Sequence, residues 1–398
     1  MPCESEQLLR EGWAALPESY RMPETAPTVA EAMAWCRRLA ETHYENFHVA
    51  SWFLPEKLRP HFHAIYAYCR VSDDLGDEVS SPEQALALLD FWQGELEACY
   101  RGQVRHPVFV ALAETIRACQ IPITPFTDLL KAFRQDQTVT RYRTMDEVLE
   151  YCRYSANPVG HLVLYVCGYR DAERFRLSDF TCSALQLANF WQDVRPDLEQ
   201  RGRIYLPQDA MARHGVTEAM LASHVATDAF RALLREMTDA ARAMFEQGLP
   251  LIGQVDRELA VDLDLFSRGG LEILRAIEQC DYDVLRARPA ISKRTKLALA
   301  LRAVTGKFLP GLRLRGRAAC VQPARRWRGV AAWIRRPWPV RMPSVARLPG
   351  ARRKTSTFPL WRCQRRGEMR CARSMRSCDE PMICPMMNPF RVPSAGRC

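Results

Sequence analysis

The sequence predicts an all-α protein, a single-domain helical bundle around a central apolar cavity. Long segments place apolar residues at helical spacing, and segments with β-branched alternation are nearly absent. The central segments are apolar on most sides, and a large bundle is the arrangement that buries such helices. With 398 residues, the chain is long enough for one large domain or two.

Helix starts are marked along most of the chain. Several segments begin with a Ser, Thr or Asp cap or with Pro in the first turn, as helices do. The predicted helices span residues 29–44, 60–77, 82–100, 107–119, 125–136, 145–155, 177–193, 226–252, 257–286 and 293–304. The sequence contains no internal repeat and no glycine-rich phosphate loop.

Charge is distributed unevenly. Residues 311–398 contain 20 Arg and one Lys against three acidic residues, a net charge of +18. Because the whole chain carries +10, residues 1–310 carry −8. We therefore divide the chain into an N-terminal extension (1–28), a helical domain (29–310) and a basic tail rich in Arg, Pro and Cys (311–398). Frequent Pro and dense like charge favour disorder in the tail. Contact with anionic lipid or nucleic acid, or a change of reading frame near residue 313, are the alternatives.

The expected location is the cytoplasm. Residues 1–30 lack the apolar core of a secretory signal, and no run of 18 apolar residues predicts a spanning helix. The nine Cys residues within 1–310 lack zinc-binding spacing, so we expect reduced thiols.

Two acidic segments carry most of the functional information. Asp73 and Asp77 lie four residues apart, as do Asp193 and Asp197, so each pair shares one helix face next to residues that favour burial. One such pair is usually a solvated surface. Two pairs flanked by aromatic and apolar residues indicate buried anions, which require a cation. Oxygen-only ligands suit Mg²⁺, which commonly bridges to substrate phosphates. The sequence therefore predicts a magnesium–diphosphate site between facing helices.

A polar line extends the second segment. Gln186 and Asn189 continue the spacing of Asp193 and Asp197 along an otherwise apolar helix. Leu, Phe, Trp and Val residues cover most of the remaining surface, so solvation does not explain this line.

These residues resemble a known family. The segments 64–70 (AIYAYCR) leading into Asp73-Asp74, 156–160 (ANPVG), 186–193 (QLANFWQD) and 202–207 (GRIYLP) look like the squalene/phytoene synthases, which are head-to-head prenyl transferases with an isoprenoid-synthase-like helical bundle. The resemblance covers roughly residues 30–290. Within the family, the variant DDLGDE at 73–78 is most similar to hydroxysqualene synthases of bacterial hopanoid biosynthesis.

The resemblance implies roles for individual residues. The implied metal ligands are Asp73, Asp77, Asn189, Asp193 and Asp197, and the implied catalytic residues are Asp73, Asp77, Asp193 and Tyr151. Pro196 stands where the family often has an acid, and proline disfavours helical geometry at Arg195, so we expect Asp197 to be displaced.

Further residues match substrate-contact positions. The implied contacts are His43, Tyr66, Arg70, Gln186, Gln192, Arg203, Tyr205 and Tyr282. For Arg70 the alternative is a salt bridge to Asp74 one turn away. For Tyr151 and Tyr205 the alternative is core packing rather than shielding of a carbocation.

The implied activity is Mg²⁺-dependent conversion of presqualene diphosphate to hydroxysqualene with release of diphosphate. Head-to-head coupling of two prenyl diphosphates, giving presqualene diphosphate or phytoene, is the alternative within the family. A non-catalytic assembly factor is the alternative from another class. The expected partners are a prenyl diphosphate lipid, the inner membrane face through peripheral contact, and other squalene-pathway enzymes, with no nucleic acid.

Overall fold

The computed structural model describes residues 4–43 and 55–308, and every regular element within them is a helix. The only extended pairing in these ranges is an isolated bridge between Arg141 and Ile204. The predicted all-α fold is therefore confirmed. The predicted basic tail lies outside the described residues.

The α-helices of the described ranges are numbered in chain order. They are α1 (Glu4–Ala15), α2 (Val29–His43), α3 (Arg59–Asp77), α4 (Pro82–Tyr100), α5 (Pro107–Cys119), α6 (Thr124–Gln135), α7 (Met145–Ser155) and α8 (Asn157–Val166). They continue with α9 (Ala172–Gln192), α10 (Val194–Arg201), α11 (Gln208–His214), α12 (Glu218–Ala222), α13 (Asp228–Gly248), α14 (Arg257–Gln279) and α15 (Lys293–Phe308). Short 3₁₀ helices span Glu18–Tyr20, Glu56–Leu58 and Leu249–Gln254.

Local sequence signals explain the helix starts. The hydroxyls of Ser81 and Thr144 accept hydrogen bonds from the third residue of α4 and α7, and the Asp171 carboxylate does the same for α9. Pro lies in the first turn of α3, α4, α5 and α8. The capping side chains accept hydrogen bonds from backbone amides that have no partner inside the helix. Proline has no amide hydrogen, so it leaves no such donor unpaired.

One predicted helix is too long. The segment predicted as helical over 257–286 stops at Gln279, because Asp281 and Tyr282 adopt φ values of +53° and +59°. Residues with side chains rarely take this left-handed conformation, and it turns the chain back toward the bundle. The sequence between 280 and 286 carries no glycine that would have signalled the turn.

The buried residues form two hydrophobic clusters. The first gathers α2 to α6 with α8, and it includes Val71 and Leu75 beside the first acidic segment. The second gathers α7, α9, α13 and α14, and it includes Phe190 and Trp191 beside the second acidic segment. The two acidic segments are thus anchored in different halves of the core.

Part of the predicted N-terminal extension packs against the bundle. Helix α1 lies against α4, and the 3₁₀ turn that follows carries Tyr20 into the first cluster, where it is 1% exposed. Residues 4–28 are therefore continuous with the helical domain in space.

An apolar cavity lies among α3, α8, α9 and α14. Its wall includes Phe62, Val159, Leu185 and Phe266. Gly160 lies in the same wall, where a Cβ atom would collide with the Ser178 Oγ and Cys182 Sγ atoms of α9. Glycine at this position therefore permits the close approach of α8 to α9. Among the described helices, none is both long and apolar enough to cross a bilayer.

Candidate active site

Helix α3 forms the first wall of the site. Asp73 and Asp74 are both 4% exposed, and Asp77 ends the helix one turn later. Burial raises the pKa of Asp73 well above its usual range, and the charge of Asp77 raises it further. Two neighbouring anions on one buried face are costly without a cation, so this wall favours a positive ligand.

Arg70 is held by Asp74. Its Nε atom donates to Asp74 Oδ2 at 3.0 Å, its Nη2 atom bonds to Asp74 Oδ1, and its Nη1 atom lies 3.9 Å from Asp73 Oδ2. The salt bridge that the sequence allowed as an alternative is therefore present. It leaves the Nη1 edge of the guanidinium beside Asp73, where a substrate oxygen could bind.

The end of helix α9 forms the second wall. Gln186, Asn189 and Asp193 are all buried, and α9 ends at Gln192. A new helix, α10, begins at Val194, so Pro196 lies in a first turn where its missing amide costs nothing. Asp197 stays 2% exposed, and its backbone amide donates to the Asp193 carbonyl at 2.9 Å. The chain thus absorbs the proline while keeping Asp197 one turn from Asp193.

Arg288 closes this wall. Its guanidinium bonds to both carboxylate oxygens of Asp193, with Nη2 3.1 Å from Oδ2, and Nη2 also donates to Gln192 Oε1 at 3.0 Å. The Gln192 amide donates in turn to the Pro289 carbonyl. Both the amide nitrogen and the amide oxygen of Gln192 are therefore hydrogen-bonded within the protein.

The two walls meet through Arg201 and Arg203. Arg201 pairs with Asp77, and Arg203 lies 3.7 Å from Asp77. Arg203 also donates to the Asp136 carbonyl at 2.8 Å and approaches its carboxylate at 3.8 Å. Residues that follow the second wall thus touch the first at Asp77, and the predicted metal site between the two acidic segments stays a prediction.

A cluster of aromatic rings lies behind this contact. The rings of Phe190 and Tyr205 stack at 3.7 Å, and Tyr142 stacks on Tyr205 at 5.6 Å. The Tyr151 hydroxyl donates to Asp136 Oδ2 at 3.0 Å. Burial raises the pKa of Asp136 to about 6, an effect that the Arg203 charge partly offsets. Tyr151 and Tyr205 are therefore packed core residues, and Tyr151 also bonds to the ion-pair network through Asp136.

The remaining predicted contacts are spread more widely. Tyr66 is buried on α3, one turn before Arg70. Tyr282 is buried after α14, and the guanidinium of Arg235 lies 4.9 Å above its ring. His43 is the last residue of α2, and its side chain lies outside the described residues.

The family model of the squalene/phytoene synthases matches residues 40–295, which include both walls and the cavity. The chain belongs to the squalene/phytoene synthase family. Named relatives are synthases, and the protein is an enzyme of this prenyl diphosphate-processing class.

Several members of the family are similar over most of the chain. The phytoene synthase 1 of Zea mays is 32% identical over 74% of this chain and 72% of its own length. A 15-cis-phytoene synthase of Synechococcus elongatus is 31% identical over 68% of this chain and 91% of its own length. A hydroxysqualene synthase of Sinorhizobium fredii is 35% identical, over 53% of this chain and 71% of its own.

Solved structures of the family share the fold. The squalene synthase HpnC from Alicyclobacillus acidocaldarius is 41% identical, with a TM-score of 0.62 over 68% of this chain and 98% of that one. A dehydrosqualene synthase bound to a ligand is 26% identical, with a TM-score of 0.61 over 70% of this chain and 96% of that one.

The carboxylate oxygens of the candidate site are of the type that binds a magnesium ion. Within residues 4–43 and 55–308, no three His, Cys, Asp or Glu side chains come close enough together to hold a metal. Mg²⁺ commonly takes only one or two carboxylates, because water and substrate phosphate complete its shell. The buried carboxyl of Asp73 and the half-buried carboxyl of Asp77 meet that requirement, and burial raises the pKa of Asp73, as expected for a carboxyl that lacks a bound cation.

Four residues of the site were missed in the sequence. Arg201 directly precedes the GRIYLP segment and could have been noticed there. Tyr20, Asp136 and Arg288 reach the network from distant parts of the chain, and no local pattern marks them. Their positions follow from tertiary packing, which spacing along the sequence does not encode.

Proposed function

We propose that this enzyme converts presqualene diphosphate to hydroxysqualene and diphosphate in a magnesium-dependent reaction. The similarity to the hydroxysqualene synthase of Sinorhizobium fredii, at 35% identity over 53% of this chain, supports this choice within the family. The prenyl diphosphate class of substrate follows from the family itself.

The proposal rests on the hydrogen bonds that the Gln192 side chain makes within the protein. Coupling two prenyl diphosphates requires donors for two diphosphate groups, whereas conversion of presqualene diphosphate requires donors for one. Gln192 stands where a basic residue can occur in relatives, and its amide is used by the Pro289 carbonyl and by Arg288. Arg288 is itself paired with Asp193. In this arrangement Gln192 and Arg288 both bind groups of the protein, which leaves neither for a second diphosphate.

The chain's own residues can support ionisation of the substrate. Arg70 is fixed with its Nη1 atom 3.9 Å from Asp73, where this atom can donate to a diphosphate oxygen as negative charge develops on it. The aspartates of the two walls, together with Asn189, would hold Mg²⁺. The ion would neutralise the charge of the leaving diphosphate. The apolar cavity can exclude bulk water around the carbon skeleton.

Water capture completes the proposed reaction. Ionisation breaks the bond between carbon and the diphosphate oxygen, and the rearranged cation forms a new bond to the oxygen of one water. That water loses a proton, which the departing diphosphate can accept. The products are hydroxysqualene and diphosphate, so the step needs no oxidant or reductant.

Head-to-head coupling is the second candidate. Phytoene synthases align over a larger share of this chain, 74% for the Zea mays protein, than the hydroxysqualene synthase does, at 53%. This wider alignment favours coupling of two prenyl diphosphates as the alternative activity.

Product analysis by mass spectrometry separates the two candidates. The purified full chain is given Mg²⁺ with farnesyl diphosphate alone, or with presqualene diphosphate alone. The proposal expects turnover of presqualene diphosphate and none of farnesyl diphosphate. Turnover of farnesyl diphosphate without turnover of presqualene diphosphate would instead establish the coupling activity.

A further inference from the structure

Tyr20 connects the N-terminal segment to the active site. It lies in the 3₁₀ turn Glu18–Tyr20, is 1% exposed, and makes an edge contact with the Trp35 ring at 6.3 Å. Its carbonyl oxygen lies 3.0 Å from His106 Nε2, so its backbone is fixed as well. From this anchored position its hydroxyl donates to Asp74 Oδ2 at 2.7 Å.

With this bond, the Asp74 carboxylate accepts three hydrogen bonds. Oδ2 accepts from both Tyr20 and Arg70 Nε, and Oδ1 accepts from Arg70 Nη2. A buried ion pair is favourable only when hydrogen bonds satisfy the remaining lone pairs. The structure therefore commits Asp74 to holding Arg70, in contrast to its neighbour Asp73, which faces Asp77.

The hydroxyl of Tyr20 is a dependable donor. Burial, with the charge of Asp74 next in importance, raises its pKa far above the usual value of a tyrosine. It therefore stays protonated and can give its hydrogen only to Asp74. A surface pair of Arg and Asp four residues apart is worth little, so the fixed geometry of Arg70 depends on burial and on this third partner.

We propose that Tyr20 is a positioning residue of the diphosphate site. Acting through Asp74, it fixes the Arg70 guanidinium with its Nη1 edge toward Asp73, ready for a substrate diphosphate. This inference rests on the proposed function, because it assumes that Arg70 binds diphosphate. It gives the predicted N-terminal extension a role in substrate binding.

The test uses the full chain with Tyr20→Phe, which removes only the hydroxyl. Tyr100→Phe is the matched control, because the Tyr100 hydroxyl donates to the Ile121 carbonyl at 3.0 Å, away from the site. Calorimetry measures the affinity for inorganic diphosphate in the presence of Mg²⁺, and thermal unfolding measures stability. We expect similar losses of stability, and an affinity loss of about tenfold for Tyr20→Phe alone. In turnover, kcat/KM falls, because Arg70 also stabilises the charge that develops on the diphosphate.

A double-mutant cycle with Arg70→Lys locates the effect. Lysine lacks the fork that Asp74 holds, so adding Tyr20→Phe to Arg70→Lys should change the affinity less than twofold. Wild-type affinity in Tyr20→Phe, or a full tenfold loss in the Arg70→Lys background, overturns the positioning role. If the wild-type chain binds diphosphate but converts no prenyl diphosphate, the proposed function fails and the positioning role stands. If it binds no diphosphate, both fail.

Discussion

At the scale of single residues, the two walls differ in how their carboxylates are neutralised. Asp73 has Arg70 at 3.9 Å, but Arg70 is hydrogen-bonded to Asp74. Asp193 receives bonds on both oxygens from Arg288. Removing a charge should therefore relieve repulsion in the first wall and break an ion pair in the second.

We expect Asp73→Asn and Asp193→Asn each to abolish turnover while changing stability in opposite directions. The melting temperature of Asp73→Asn should hold or rise, and that of Asp193→Asn should fall by a few degrees for a loss of about 1 kcal/mol. Asp90→Asn, which breaks the surface pair with Arg134, is the control and should keep full activity. Near-wild-type turnover in either wall variant would remove the metal-site hypothesis.

Asp136 gives the site a predicted dependence on pH. Burial raises its pKa to about 6 in the folded protein. A carboxyl group with a raised pKa stabilises the fold below its unfolded pKa, and this contribution is lost as the pH rises through about 6. Between pH 4 and pH 7, wild type should therefore lose up to about 3 kcal/mol more stability than Asp136→Asn. Urea unfolding of both proteins measures this difference, and parallel pH profiles would contradict it.

At the scale of helices, the close approach of α8 to α9 depends on Gly160. A methyl group there would collide with Ser178 and Cys182 and would narrow the apolar cavity. We expect Gly160→Ala to lower the free energy of unfolding by about 1–3 kcal/mol. In Gly94→Ala, where an added Cβ meets nothing within 4 Å inside α4, stability should rise by about 0.5–1 kcal/mol. Urea unfolding distinguishes the two, and equal effects would show that the α8–α9 contact is not tight.

The sequence predicted helices well where capping and periodicity agree. The bounds of α4, α5 and α7 match their predicted ranges, because a cap or Pro starts each one. Five helices were missed, namely α1, α8, α10, α11 and α12. In α10, Pro196 was expected to displace Asp197, yet the chain restarts its helix two residues earlier. A proline signals a break, but its position within a turn depends on how the ends of the helices pack.

At the scale of the whole molecule, charge is concentrated in a part of the chain that lies outside the described residues. The prenyl lipid substrate of the family partitions into bilayers, and residues 311–398 carry +18 against −8 for residues 1–310. We expect deletion of 311–398 to leave turnover in detergent intact and to weaken binding to anionic vesicles, because each basic residue near the surface contributes about 1 kcal/mol. Co-sedimentation at low and high salt measures this. Unchanged vesicle binding would show that the tail is not a membrane anchor.

The candidate site was only partly predictable. Asp73, Asp77, Asn189 and Asp193 follow from helical spacing and burial, which act over short distances in the sequence. Their charge partners come from far away, with Arg288 95 residues from Asp193. These pairings decide which carboxylates are already neutralised, and they become visible only when the helices are packed together.

The central claim is that water ends the reaction of presqualene diphosphate. The most direct measurement is conversion of presqualene diphosphate by the full chain with Mg²⁺ in water enriched in oxygen-18, followed by mass spectrometry of the product. The account predicts hydroxysqualene that carries the heavy oxygen in proportion to the enrichment of the solvent. A hydrocarbon product without oxygen, or hydroxysqualene without the label, would contradict it.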